Sequence, residues 1–364
     1  MSTRIGIVGM PNAGKSSLFN ALTKAGAEAA NYPFTTIEPN VAVVPVRDER
    51  LEQVASTVGA SEIVWDTIDF HDIAGLVAGA HKGEGLGNKF LANIRETDAI
   101  VHVVRAHSDE NVIHPEGRVD PLADIETIET ELVLADLEQA ERRVDRVAKQ
   151  ARGGDRAAAA EEAWLHAVIA ELQAGRPVRG VPAPEEAPHA ARDLGSLTAK
   201  PVLFVANVDE DSSEVPAAIA EHAAAQGARA VAVSSRIESE LAELDEEEAA
   251  AMRAEMTAGD GGAAPLERVV REAFALLELI VFFTAGEGKP AQSWHLRRGL
   301  SVWHAAGEIH TDIQKGFVRA EVIGWRELVD AGGYAGARER GTLRIEGRDY
   351  TMADGDVISV RFTP

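Results

Sequence analysis

The sequence contains no cysteine. That absence removes disulfides, thiolate zinc sites and cysteine nucleophiles together, and it leaves a cytoplasmic compartment as the simplest reading. Long apolar runs are also missing. No window approaches the ~20 continuous apolar residues of a membrane-spanning helix, and the first apolar run is closed within a few residues by Pro11 and Asn12, so no signal peptide is expected. A soluble chain that stays where it is made, with no membrane partner, is the expectation. Basic charge is in deficit as well: 36 Lys+Arg face 59 Asp+Glu, a formal net charge of -23. This excludes a diffuse basic surface for nucleic acid, and no DNA partner is expected, although a local basic patch stays open. The deficit is uneven, because residues 280–364 carry 11 Lys+Arg against 11 Asp+Glu, so the whole of it falls on residues 1–279.

What is present is enough for packed cores. The 364 residues are 45% hydrophobic and 26% charged, which is globular rather than disordered, and the length predicts two or three domains. The run Ile5–Val8 reads as a buried strand, followed by a Gly-bounded turn and a helical stretch from Ser16 to Leu22. Short apolar runs recur at 41–44, 63–70, 99–104, 202–206 and 230–233 with helical stretches between several of them, which predicts an α/β fold with a largely parallel sheet. Residues 124–195 differ. Val133, Leu137, Ala140, Val144 and Val147 repeat at spacings of four and three, a coiled-coil-like seam, and after a break at Gly153-Gly154-Asp155 a second helical run carries Trp164, Val168 and Leu172 on one face. An antiparallel helical hairpin inserted into the sheet domain is expected. The predicted division is 1–123 with 196–279 for the sheet domain, 124–195 for the insertion, and 280–364 for a small β-rich α/β module.

Three segments carry chemistry. Gly9-Met-Pro-Asn-Ala-Gly14-Lys15-Ser16 fits G-x-x-x-x-G-K-[ST], the P-loop, with a strand before it and a helix after it. Successive backbone N–H groups of the loop and the helix N-terminus would face phosphates, Lys15 would add a cation, and the Ser16 hydroxyl would ligate Mg²⁺. Asp72-Ile-Ala-Gly75 follows an apolar run, which predicts Asp72 at the carboxyl end of a strand, holding Mg²⁺ through water, with the Gly75 N–H on the γ-phosphate. Thr35 and Thr36 lie between the two motifs, and Thr36 is the favoured Mg²⁺ hydroxyl. Asn207-Val208-Asp209-Glu210 stands where a guanine reader has Asn-Lys-x-Asp. Val208 replaces the Lys, and Glu210, one methylene longer, replaces the Asp. Ser234-Ser235-Arg236 would be the remaining base-contacting loop.

These residues resemble the YchF family, the Obg-like ATPases within the translation-factor class of P-loop NTPases. The matching stretches are GMPNAGKSSLFN, NYPFTTIEPN, DIAGLVAGAHKGEGLGNKFLANIRE, ANVDED and AAGEIHTDIQKGFVRAEVI, which run through nearly the whole chain. The resemblance implies an OBG-type nucleotide-binding domain interrupted by a coiled-coil hairpin, and a C-terminal TGS domain with a ubiquitin-like β-grasp fold. It also implies Mg²⁺ dependence, ATP preferred over GTP, and association with the ribosome or its 50S subunit. Carried over to this numbering, phosphates would contact Asn12, Ala13, Gly14, Lys15, Ser16 and Ser17; Mg²⁺ would contact Ser16 and Thr36; adenine would contact Asn207 and Val208. Ala13 stands where the family commonly has Val, which leaves the backbone cradle intact.

Hydrolysis needs a positioned water. Ras-like enzymes place Gln directly after DxxG, but Leu76 is here and cannot orient water. His71, His81 and His114 are the alternatives, and His114, in a polar loop beyond the strand 99–104, is taken as the catalytic residue. In 280–364, basic residues sit among Trp294, Trp303, Phe317, Trp325 and Tyr334. They either touch RNA or divide into core aromatics and paired arginines. The leading function is a hydrolysing ATP switch. A GTPase of relaxed base specificity, a small-molecule phosphotransferase and a ribosome- or RNA-binding scaffold with structural nucleotide are the competing readings.

Overall fold

The computed structural model describes residues 3–29, 40–73, 86–109, 117, 119–241, 243–244, 248–249, 251–252 and 264–363. The strands in chain order are β1 (Thr3–Val8), β2 (Val41–Pro45), β3 (Ile63–Val64), β4 (Thr67–Asp72), β5 (Ala99–Arg105), β6 (Val202–Asn207), β7 (Arg229–Val233), β8 (Leu279–Thr284), β9 (Ala291–Arg297), β10 (Phe317–Gly324), β11 (Arg344–Glu346) and β12 (Asp356–Phe362). They form two six-stranded sheets, β2-β4-β1-β5-β6-β7 and β11-β10-β12-β8-β9-β3.

The chain divides into two compact units. One is Thr3–Val43 with Asp69–Ala273; the other is Val44–Ile68 with Phe274–Pro364. In the first, β1, β5, β6 and β7 pair in parallel. Their central strands are buried on both faces, which is why Ile5–Val8, Ala99–Arg105 and Val202–Asn207 read as unbroken apolar runs rather than alternating ones. The parallel α/β expectation is met.

The inserted segment is a helical hairpin. Helix Pro121–Arg152 starts with Asp120 accepting the Ala123 N–H and with Pro at its first turn; helix Arg156–Gln173 starts with Asp155 accepting the Ala158 N–H. Between them Gly154 takes φ 89, open to glycine at no steric cost. The seam residues Val133, Leu137, Ala140, Val144 and Val147 pack in one cluster with Trp164, Leu165, Val168 and Leu172. At the root of the hairpin, Asp136 is buried and accepts the Leu197 N–H at 2.8 Å, the Thr198 N–H at 2.8 Å and the Thr198 hydroxyl at 2.7 Å. These bonds tie the long helix to the segment that leads into β6.

The second unit is built around β8, which pairs antiparallel with β9 and parallel with β12, while β10 pairs antiparallel with both β12 and β11. One sheet face packs helix Val302–Ile309 through Val302 and Ala305 against Ile280, Phe282, Val322 and Ile358. The other packs Leu51, Val54, Ala55 and Val58 against Val281, Phe283, Ile323 and Val357. Those four residues are one face of helix Glu49–Val58, begun by Asp48 and stopped by Gly59 in the left-handed region. A segment from the N-terminal part of the sequence therefore completes the core of the C-terminal unit.

Candidate nucleotide-binding site

The site forms where β1, β5, β6 and β7 end. Buried β1 delivers the chain to Gly9, and the helix Lys15–Ala29 begins directly after Gly14. The loop needs two residues in the left-handed region, Asn12 at φ 64 and Gly14 at φ 99. At Gly14 glycine is required twice over, since a Cβ there would lie 2.2 Å from Asn207 Nδ2. Lys15 folds back on the loop: its Nζ donates to the Gly9 carbonyl at 3.0 Å and to the Met10 carbonyl at 2.8 Å. Burial pushes its pKa down to about 8, against the opposing charge of Asp72. Asp72, the last residue of β4, is raised by its own burial and lowered by Lys15. The pair is a cation and an anion in a partly dry setting, beside a helix N-terminus that favours negative charge.

The other half of the site hangs on the end of β6. Asn207 is buried, donating from Nδ2 to the Ala13 carbonyl at 3.0 Å and accepting the Ser235 N–H at 2.9 Å, so it joins the P-loop to the loop after β7. Val208 is buried in the apolar core of the first unit, with its N–H on the Val233 carbonyl at 3.0 Å. Asp209 accepts the Ser108 N–H on both oxygens at 3.1 Å and the Ser108 hydroxyl at 3.3 Å. Glu210 Oε1 lies 3.1 Å from Arg236 Nε. Nearby, the buried Arg105 donates to the Asp109 carbonyl at 2.7 Å, and His107 is held below its ordinary pKa by burial and then by the Arg105 charge.

A cleft of about 530 Å³ is lined by the loop residues Asn12, Gly14, Lys15, Ser16 and Ser17 together with Asp209, Glu210, Ser234, Arg236 and Glu240. Its lining combines the P-loop backbone and Lys15 with the carboxylates of Asp209, Glu210 and Glu240. A polyanion with a hydrogen-bonding ring system matches that polarity.

Residues 4–139 match a family profile described as a 50S ribosome-binding GTPase, and residues 279–363 match one for the C-terminal region of YchF GTPases, described as a protein of unknown function. The chain is 49% identical to the ribosome-binding ATPase YchF of Haemophilus influenzae, covering 100% of this chain and 99% of that protein. It is 46% identical to the protein of the same name from Bacillus subtilis, with 100% of both covered. The chain belongs to the YchF family. The solved structure of the Schizosaccharomyces pombe YchF GTPase superposes with a TM-score of 0.86 at 34% identity, covering 99% of this chain and 98% of that one.

In this YchF-family chain the structure brings Asn12, Gly14, Lys15, Ser16, Ser17, Asn207, Val208 and Ser234 to one cleft, with Ala13 buried beneath it as a hydrogen-bond partner of Asn207. Thr35, Thr36, Gly75, Leu76, His81 and His114 lie outside the described residues. His71 is half-buried on β4. The inward use of the Asn207 amide was not legible in the sequence. Nor were His107, Asp109, Ser239 and Glu240 as lining residues. His107 and Asp109 follow β5 at the same sheet end as the P-loop, and that placement is the signal that finds them, since ligands of open parallel sheets sit beyond the carboxyl ends of strands.

Among the described residues, no three His, Asp or Glu side chains gather to hold a metal ion. The Ser16 hydroxyl and the Asp72 carboxylate are hard oxygen donors of the kind Mg²⁺ takes when phosphates and water complete its shell. Asp72, raised by burial and opposed by one lysine, suits a second cation beside it. Also among the described residues, no helix is long and apolar enough to cross a membrane.

Proposed function

We propose that this chain is an ATP-binding and ATP-hydrolysing switch that depends on Mg²⁺ and binds the ribosome through its large subunit in the cytoplasm. The observation that carries the reading is the end of β6, where Asn207 organises the P-loop while the Lys and Asp of a guanine reader are replaced by buried Val208 and by Glu210. Relatives bearing the name ribosome-binding ATPase support it along the full length of the chain. Ser16 and Asp72 would hold Mg²⁺ with Thr36, and the ion would balance charge on the β- and γ-phosphates when bound. Lys15 supplies the fixed cation, backbone N–H groups from Asn12 to Ser17 orient the phosphates, and the Gly75 N–H reads the γ-phosphate. His114 is proposed to orient the attacking water.

Titration calorimetry with ATP and GTP side by side tests this reading. ATP is expected to bind more tightly, and a GTP affinity equal to or above that for ATP overturns the base preference. Single-turnover phosphate release with and without ribosomes separates a switch from a scaffold with structural nucleotide: the switch hydrolyses and responds to ribosomes, and the scaffold does neither.

The unit of Val44–Ile68 and Phe274–Pro364 is proposed to be a TGS-type β-grasp that contacts RNA. Arg319 stands directly opposite Arg361 across β10 and β12, an arrangement that destabilises a sheet on its own. Glu321 is shared between Arg338 and Arg361 at 3.6 Å each. Arg348 lies over Trp303 at 5.3 Å. Phosphate groups would relieve the repulsion, so Arg319→Ala with Arg361→Ala is expected to weaken ribosome co-sedimentation and flatten its salt dependence.

A further inference from the structure

We propose that Arg236 is a specificity-determining residue of the nucleotide cleft, acting by holding the Glu210 carboxylate out of the reach of a guanine base. The inference rests on the nucleotide reading above and adds to it a residue that sets base choice.

Arg236 Nε lies 3.1 Å from Glu210 Oε1 and 3.2 Å from Glu240 Oε1. Glu210 comes from the turn after β6, whereas Arg236 and Glu240 lie one turn apart on helix Ser235–Leu241. All three line the same cleft as Lys15. The guanidinium is thus shared between two carboxylates from different segments, both of which line the cleft.

Donor and acceptor patterns decide what such an arrangement admits. Guanine presents N1–H and N2–H₂, two donors that need a carboxylate with both oxygens available. Adenine presents an acceptor at N1 and a donor at N6, and needs no such carboxylate. Two carboxylates follow Asn207. Asp209 has both oxygens on Ser108, and Glu210 has its Oε1 on Arg236. Guanine would have to break the second pair to be read, and the exposed guanidinium, a donor only, would then face the donor edge of the base. Glu210, where a guanine reader has Asp, lengthens the arm; Arg236 gives that arm something else to hold.

The size of the effect is bounded by exposure, since Arg236 and Glu210 side chains are 66% and 53% accessible. A pair this exposed is weak and screened by salt, which bounds the change in relative affinity at about fivefold.

The experiment measures the ratio of ATP to GTP dissociation constants by calorimetry on the full-length chain. ATP and GTP carry the same triphosphate, so the ratio cancels the phosphate contribution. Arg236→Ala is expected to move the ratio toward GTP by roughly two- to fivefold. Glu240→Gln is expected to move it the other way, because Arg236 then rests on Glu210 alone. In a Glu210→Gln background, Arg236→Ala is expected to leave the ratio where it is. A ratio that does not move in Arg236→Ala, or one that moves equally without the Glu210 carboxylate, overturns the proposal while leaving the ATP reading intact. Failure of the unmodified protein to bind either nucleotide overturns both.

Discussion

The side-chain amide of Asn207 donates to the Ala13 carbonyl oxygen across 3.0 Å, so the residue proposed to meet a base also fixes the loop proposed to meet phosphates. Asn207→Ala leaves the Ala13 carbonyl and the buried Ser235 N–H without these partners. A loss of ~1–3 kcal/mol in unfolding free energy is expected, with weaker binding of ATP, ADP and GTP alike. Denaturant unfolding and titration of the three nucleotides check it; a change confined to one base would show that Asn207 reads the base rather than the loop.

Gly14→Ala strikes the same junction from the other side. At φ 99 and with a Cβ 2.2 Å from Asn207 Nδ2, the loop must distort, and ~1–3 kcal/mol of strain corresponds to roughly 5- to 150-fold in nucleotide affinity. Gly154→Ala, at φ 89 with nothing within 4 Å, is the matched control. It should lower the melting temperature without touching affinity.

Lys15 predicts a pH dependence. Its pKa lies at about 8 in the free protein, and phosphates favour the charged form, so affinity should be flat below pH 8 and should fall as pH rises above it. Lys15→Arg keeps the charge and should remove the decline over pH 7–9.5, whereas Lys15→Ala should abolish tight binding throughout. Unchanged ATP affinity in Lys15→Ala would sink the P-loop assignment.

Asp136→Ala removes the acceptor for two N–H groups and a hydroxyl at the root of the hairpin. Such bonds to a charged group contribute ~1.5–3 kcal/mol each when made singly, so a loss of roughly 3 kcal/mol or more is expected in denaturant unfolding. Thr198→Val removes the hydroxyl bond to Asp136 and also leaves the buried Val178 N–H without its acceptor, so it should cost more than one lost bond but less than Asp136→Ala.

His295 couples the second unit to pH. Burial lowers its pKa, but the hydrogen bond and charge of Asp66 at 2.5 Å outweigh it, and the net shift is upward. A base raised on folding stabilises fully below its unfolded pKa of ~6.5 and loses that contribution as pH climbs through the folded value. The melting temperature should therefore drop more between pH 6 and 8.5 in the unmodified protein than in His295→Gln.

The strands at the nucleotide site were legible because parallel strands buried on both faces leave continuous apolar runs, and the P-loop because its chemistry is local. Helix Glu49–Val58 carried complete local signals in Asp48, Gly59 and the spacing of Leu51, Val54, Ala55 and Val58. Its partner, the sheet face of Val281, Phe283 and Val357, lies more than two hundred residues away, and no periodicity encodes that distance. The ends of strands hide their chemistry for the same reason. Asp209 reads as one more acidic loop residue until Ser108 is placed beside it.

The path of Val44–Ile68 into the second unit has a consequence during synthesis. Those residues leave the ribosome early, but the strands that cover Leu51 and Val58 are among the last made. At ~5–20 residues per second the stretch of about 300 residues up to β12 takes roughly 15–60 s, throughout which the apolar face of helix Glu49–Val58 lacks the strands that cover it. A nascent chain halted before residue 274 should therefore engage holding chaperones through residues 49–58, and release from them should coincide with the emergence of β12.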